Sequence, residues 1–132
     1  MNNLTREVPA LHRDGHGLND LITIRSDERD PNGGGASHRY EADITETVTA
    51  GRIPILSIQF QHGPRREEGS KPGCTEAVLL AILIDRLRGF QAGPYACREN
   101  AIMLTKLEEC LHWTRARADE RARRGVLGKN AK

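Results

Sequence analysis

The stretch Gly89-Phe90-Gln91-Ala92-Gly93-Pro94-Tyr95-Ala96-Cys97-Arg98 joins two strongly helical segments. Two glycines and a proline make a tight connector, so the flanking helices are predicted to fold back on each other as a hairpin. Close to the bend stand Phe90, Tyr95, Arg98 and Asn100. An aromatic ring to stack, an amide to read a ring edge and a guanidinium for phosphate form a set suited to a small ligand.

Upstream of the bend, Thr75 is a plausible N-cap and Glu76 suits the helix dipole. The helix is predicted over Ala77 to Leu87, stopping at Gly89. It is apolar nearly all round between Ala77 and Ile84. Both of its faces therefore need cover, one from the sheet and one from another helix or subunit. Downstream, a second helix is expected from about Ala96 to Arg98 until just before Gly125. Leu104, Leu107, Leu111 and Thr114, with Cys110 and Ala118 beside them, form its buried stripe. About 27 residues at ~1.5 Å each span about 40 Å, more than the first helix can accompany. Its basic end should project, and a helix so exposed calls for a second chain.

Before the hairpin the periodicity changes. Residues 1–19 are polar and without clear period, and read as a flexible lead-in. Leu21 to Arg25 is a short strand candidate, and Asp30-Pro31-Asn32-Gly33-Gly34-Gly35 a flexible loop. From His38 to Val48, Tyr40, Ala42 and Ile44 alternate with Arg39, Glu41 and Asp43. Leu56, Ile58 and Phe60 alternate with Ser57, Gln59 and Gln61 after a strand-entry Pro54. Such strands make a small antiparallel sheet with one wet face. His62 to Gly73 reads as a charged loop. The predicted fold is α+β: one domain over 20–132, with a β-sheet part at 20–62 packed on a long antiparallel helical hairpin at 74–125. No internal repeat interrupts it.

Composition narrows the function. The 132 residues carry 20 Lys and Arg against 18 Asp and Glu, a net charge of +2. That is too near neutral to indicate a nucleic-acid polymer as partner. No apolar run approaches the roughly 20 residues of a membrane span, and the amino terminus lacks a secretion-signal pattern. Cys74, Cys97 and Cys110 form an odd set without CxxC spacing, which argues for free thiols in a reducing cytosol. Cys97 reads as a buried hairpin cysteine rather than a reactive one. The histidines show no metal spacing; His12 and His16, or Glu108 and His112, stand four apart without a third ligand. No phosphate-binding Gly loop or nucleophile set can be drawn. The chain reads as a non-enzyme without metal or cofactor.

Binding is the better reading. Phe90 and Tyr95 serve either a core or a ligand. Asn100 is a poor helix former, and its place is best explained by something it hydrogen-bonds. Arg117, Arg121 and Arg124 fall at i, i+4 and i+7. They form either a solvated face or, with Asp119 and Glu120 read as lying off that face, a site of concentrated positive charge for an anion.

The run Gly89 to Ile102, followed by Thr105-Lys106-Leu107-Glu108-Glu109, Trp113, Arg117, Arg121 and Arg124-Gly125-Val126, closely resembles the helical hairpin of phage anti-defence sponges. Ile58-Gln59-Phe60-Gln61-His62-Gly63-Pro64 is similar to the Thoeris (type one) branch rather than the shorter, all-helical anti-CBASS branch. The resemblance covers roughly residues 55–130. It implies a protein that binds cyclic ADP-ribose isomers, and CBASS cyclic dinucleotides and trinucleotides, without cleaving them. It also implies a homo-dimer assembling to a homo-hexamer in the cytoplasm of an infected bacterium. By motif position, Phe90 and Asn100 are the implied pocket aromatic and amide, with Arg65, or the adjacent Arg66, as the pocket arginine. Arg117 and Arg121 fall on a separate trinucleotide site. Tyr95, Arg98 and Arg124 are further candidates. The competing readings are a nucleic-acid-binding helical hairpin using the strip Arg115 to Arg124, and a structural phage protein.

Overall fold

A computed structural model describes residues 4–45, 51–64 and 67–127. The fold is α+β, built as a sheet unit over residues 1–73 and a helical unit over residues 74–132.

The sheet unit holds β1 (Arg6–Glu7), β2 (Ile22–Ser26), β3 (Arg39–Thr45) and β4 (Arg52–Gln59), antiparallel in the order β1-β2-β3-β4. Register follows the alternation in the sequence, which sets the apolar residues of β2 and β3 opposite one another on one face. Ile24, Ala42 and Leu56 line up across three strands, as do Ser26, Tyr40 and Ile58. On the other face Arg25 pairs with Asp43 at 2.9 Å and Arg39 with Glu41 at 2.8 Å. Residues 46–48, the end of the strand expected from His38 to Val48, lie outside the described residues.

Pro54 sits inside β4 rather than at its entry. An edge strand tolerates the missing N–H, and Pro54 stands opposite Asp43 where the β3–β4 register shifts. Within the polar lead-in, β1 pairs with the end of β2. Asp20 collects the loop before β2 by accepting from the backbone N–H groups of Asp14, Gly15 and Gly17. The Gly15 and Gly17 N–H groups hold its carboxyl below the ordinary value. Ser26, fully buried, is satisfied by donating to the Asp27 carbonyl and accepting from Arg6 Nε, both at 2.9 Å.

The helical unit pairs α1 (Glu76–Gln91) with α2 (Arg98–Arg123). Ile84 and Leu87 of α1 are buried, and Leu104, Leu107, Leu111, Thr114 and Ala118 of α2 form a half-buried stripe. Cys110 is exposed instead of joining that stripe, and Cys97 is exposed instead of buried. Cys110 lies one residue off the inward line, and Cys97 stands at the N-cap of α2, outside the helix faces. All three cysteines are free thiols. Arg88 and Glu108 join the helices at 3.0 Å. With 16 residues in α1 and 26 in α2, the end of α2 runs about 15 Å past its partner.

The first helix does not stop at Gly89. It continues through Gly89 and Phe90 to Gln91, and its cap, Ala92, has a right-handed helical backbone rather than a left-handed one. Glycine permits a left-handed stop without enforcing it. No atom lies within 4 Å of where a Gly89 Cβ would stand. Gly89→Ala should therefore stabilise the hairpin by about 0.5–1 kcal/mol, read as a raised midpoint in urea unfolding; a loss of stability would contradict a helical Gly89.

Candidate functional site at the hairpin elbow

Because α1 runs on to Gln91, Phe90 belongs to its last turn, one turn after Arg86. The Arg86 guanidinium lies over the Phe90 ring, 4.9 Å from its centroid. Tyr95 meets the same ring edge-to-face at 6.2 Å. Both contacts use the negative face and positive edge of an aromatic ring. Arg86 is a site residue that the sequence reading missed. The i, i+4 spacing of Arg86 and Phe90 is the available signal, and it is hidden if the helix is taken to end at Gly89.

The bend itself is held by Gln91. Its amide donates to the Cys97 carbonyl at 3.1 Å and accepts from the Cys97 N–H at 3.0 Å. Cys97 is the N-cap of α2, its sulfur accepting from the Asn100 N–H at 3.4 Å. Asn100 then sits in the first turn of α2, half-buried, at the head of the stripe Leu104, Leu107, Leu111. Its Nδ2 donates to the Tyr95 carbonyl at 3.5 Å, leaving its amide oxygen as an acceptor.

The structure thus brings Phe90, Tyr95 and Asn100 together. Phe90 is half-buried rather than sunk in the core, and Tyr95 is exposed. Arg98 opens α2 and is exposed. Arg65 and Arg66 lie outside the described residues.

Arg117, Arg121 and Arg124 occupy the far end of α2, about 25 Å or more from Asn100 along the helix. Their surroundings differ from the expected row of unbalanced charge. Glu120 pairs with Arg124 at 2.7 Å, since i, i+4 spacing puts both on one face. Arg121 donates from Nη2 to the Val126 carbonyl at 3.1 Å, which ties it to the turn after α2. Arg117 is exposed. The elbow and the basic end are therefore two separate places on one unit.

In the sheet unit, the fold also gathers Asp30, His38 and His62, which spacing could not reveal. His62 Nε2 lies 2.9 Å from Asp30 Oδ2, and the two imidazoles stack at 4.1 Å. The Asn32 N–H first, and His62 second, hold the Asp30 carboxyl below its ordinary value.

Two comparisons with known proteins bear on these sites. The family described as Acb2/Tad1, hairpin domain, matches residues 54–119, from β4 through most of α2. A protein named Thoeris anti-defense 1, from Bacillus phage SBSphiJ7, is 44% identical over 89 residues. That alignment covers 67% of this chain and 61% of the relative's length. The family match includes Phe90, Tyr95, Asn100 and Arg117, and ends before Arg121 and Arg124.

Proposed function

Since the chain belongs to the Acb2/Tad1 hairpin family, we propose that it is a phage-encoded sponge for cyclic nucleotide immune signals. It counters bacterial anti-phage defence by holding the messenger intact. The primary ligands are cyclic ADP-ribose isomers, with CBASS cyclic dinucleotides and trinucleotides as further ones. The relative named for Thoeris anti-defence supports the first class.

The observation that carries this reading is the elbow, where a half-buried aromatic and a half-buried amide are tied to one another through Tyr95. A purine offers a face for Phe90 and an edge for Asn100. Its phosphates are matched by guanidinium groups, Arg86 and Arg98 at the elbow, and the family resemblance adds Arg65 or Arg66 as the pocket arginine. Arg86 now covers the ring face that a base would use. It must swing aside when a base stacks there, and a phosphate beside that base gives it a partner. Arg117 and Arg121 form the second, trinucleotide-binding place, with Arg124 as a further candidate beside it. Sequestration needs no nucleophile, and the elbow is assigned none.

Assembly fits the same reading. On α1, Val78, Ile82 and Leu83 are exposed at 49%, 59% and 46%. An apolar helix face so open in a single chain suits a homo-dimer that builds on to a hexamer. The protein acts in the cytoplasm of the infected bacterium, where the signals are made.

The test is a thermal-shift panel of cyclic ADP-ribose isomers, cyclic dinucleotides and cyclic trinucleotides, followed by heat release and analysis of the ligand. A ligand present at about 100 times its Kd adds about 2.7 kcal/mol to stability, a shift of several degrees for a domain of this size. The ligand should return unchanged. Release of ADP-ribose would overturn sequestration without cleavage. A midpoint indifferent to every cyclic nucleotide, with steeply salt-dependent retention of RNA or DNA, would replace the sponge with a polymer binder.

A further inference from the structure

We infer that Asp30, His38 and His62 form a binding site for one divalent transition-metal ion of the zinc class in the sheet unit. This site is independent of the elbow and of the function proposed for it. The three side chains come from different parts of the unit. Asp30 caps the 3-10 turn Pro31–Gly33, His38 immediately precedes β3, and His62 follows β4. One donor atom from each lies within 4.8 Å of the other two.

Three observations favour a cation over a plain hydrogen-bonded cluster. First, His38 Nε2 is enclosed and has no hydrogen-bond partner. A buried ring nitrogen without a partner is costly whichever tautomer it adopts, and a metal ion would satisfy its lone pair. Second, the imidazoles stack at 4.1 Å with planes 17° apart. A ring nitrogen's lone pair lies in the ring plane, so the stacked His62 cannot satisfy His38 Nε2. Third, Gly33 leaves open a space beside all three donor atoms. A Cβ there would stand 2.7 Å from His38 Nε2, 2.9 Å from Asp30 Oδ2 and 3.2 Å from His62 Nε2.

The backbone holds each donor in place. Asp30 Oδ1 accepts the Asn32 N–H at 2.9 Å, which leaves Oδ2 for the cluster. The His38 N–H donates to Asp27 Oδ1 at 3.0 Å. His62 exchanges backbone hydrogen bonds with Lys71 at 2.9 and 2.8 Å. Two imidazoles and a carboxylate are a zinc-type donor set, which binds at about 2.0–2.2 Å and leaves one position for water. Binding requires the two rings to open about their Cβ atoms so that the lone pairs converge. Its effect is to staple the β2–β3 loop to the segment after β4.

The full chain, stripped with chelator, is titrated with Co2+ and then with Zn2+. The expected result is one Co2+ per chain with a tetrahedral visible absorption band free of thiolate charge transfer. Zn2+ should displace it and raise the thermal midpoint. His38→Ala, His62→Ala and Asp30→Asn should each weaken binding at least tenfold, while His112→Ala leaves it unchanged. Asp30→Asn keeps an oxygen for the cap, so a folded variant remains available if a histidine variant does not fold. Gly33→Ala keeps every donor and should abolish binding by filling the space. No band and no Zn2+ response in the wild-type chain would overturn the site. So would binding that survives in Asp30→Asn, or binding lost when Cys74, Cys97 and Cys110 are all replaced by serine.

Discussion

Phe90→Ala is expected to weaken binding of a cyclic ADP-ribose isomer by about 5- to 150-fold, because base–aromatic stacking contributes roughly 1–3 kcal/mol per base. The helix around it should persist. Phe90 is half-buried and lies outside the buried pair Ile84 and Leu87, so alanine at 90 removes a binding surface more than a core. Asn100→Ala tests the other half of the elbow. It removes one net hydrogen bond, about 0.5–1.5 kcal/mol, and more if the ligand's polar edge is left unpaired. Titration calorimetry gives both affinities, and sedimentation shows whether the oligomer survives. Arg86→Ala separates two roles for the guanidinium above the ring. Tighter binding means that Arg86 only obstructed the ring face, and weaker binding means that it pairs with phosphate. Unchanged affinity in both Phe90→Ala and Asn100→Ala would move the ligand away from the elbow.

What could be read in the sequence was whatever local periodicity controls. Tyr40, Ala42 and Ile44 alternate with Arg39, Glu41 and Asp43, and the register of β3 between its neighbours follows from that pattern. The two helices and their tight bend were likewise legible. Errors arose where one residue type permits two outcomes. Gly89 can end a helix or continue it, and here hydrogen bonds such as Ala92 N–H to the Arg88 carbonyl carry the helix on. That choice moved Phe90 into the helix and placed it over Arg86. The sequence pattern sets Asp119 and Glu120 off the face of Arg117, Arg121 and Arg124, yet Glu120 pairs with Arg124 at 2.7 Å. The Asp30, His38 and His62 cluster depends on strand pairing rather than spacing. His38 reaches His62 because the Phe60 N–H donates to the His38 carbonyl at 2.7 Å across the sheet.

Gly73→Ala should be the most damaging small substitution in the sheet unit, lowering its stability by about 1–3 kcal/mol or more. The reason is not backbone conformation, since Gly73 is absent from the glycines with positive φ. A Cβ there would stand 2.3 Å from the Gln59 carbonyl oxygen, and 2.6 and 2.7 Å from the carbonyl carbon and oxygen of Phe60. These are backbone atoms and cannot rotate away as a side chain would. They are also pinned, because the Phe60 N–H is bonded to His38 and the Gly73 N–H donates to Gln61 Oε1 at 3.2 Å. Relief would have to come from moving the end of β4 and the segment that carries His62. Gly69→Ala is the contrast. It meets no atom within 4 Å but holds a φ of +83°, so its cost should be the left-handed strain alone, about 1–2 kcal/mol. Urea unfolding of the two variants beside wild type separates crowding from strain. If Gly73→Ala unfolds within 0.5 kcal/mol of wild type, the close approach of this segment to the end of β4 is wrong.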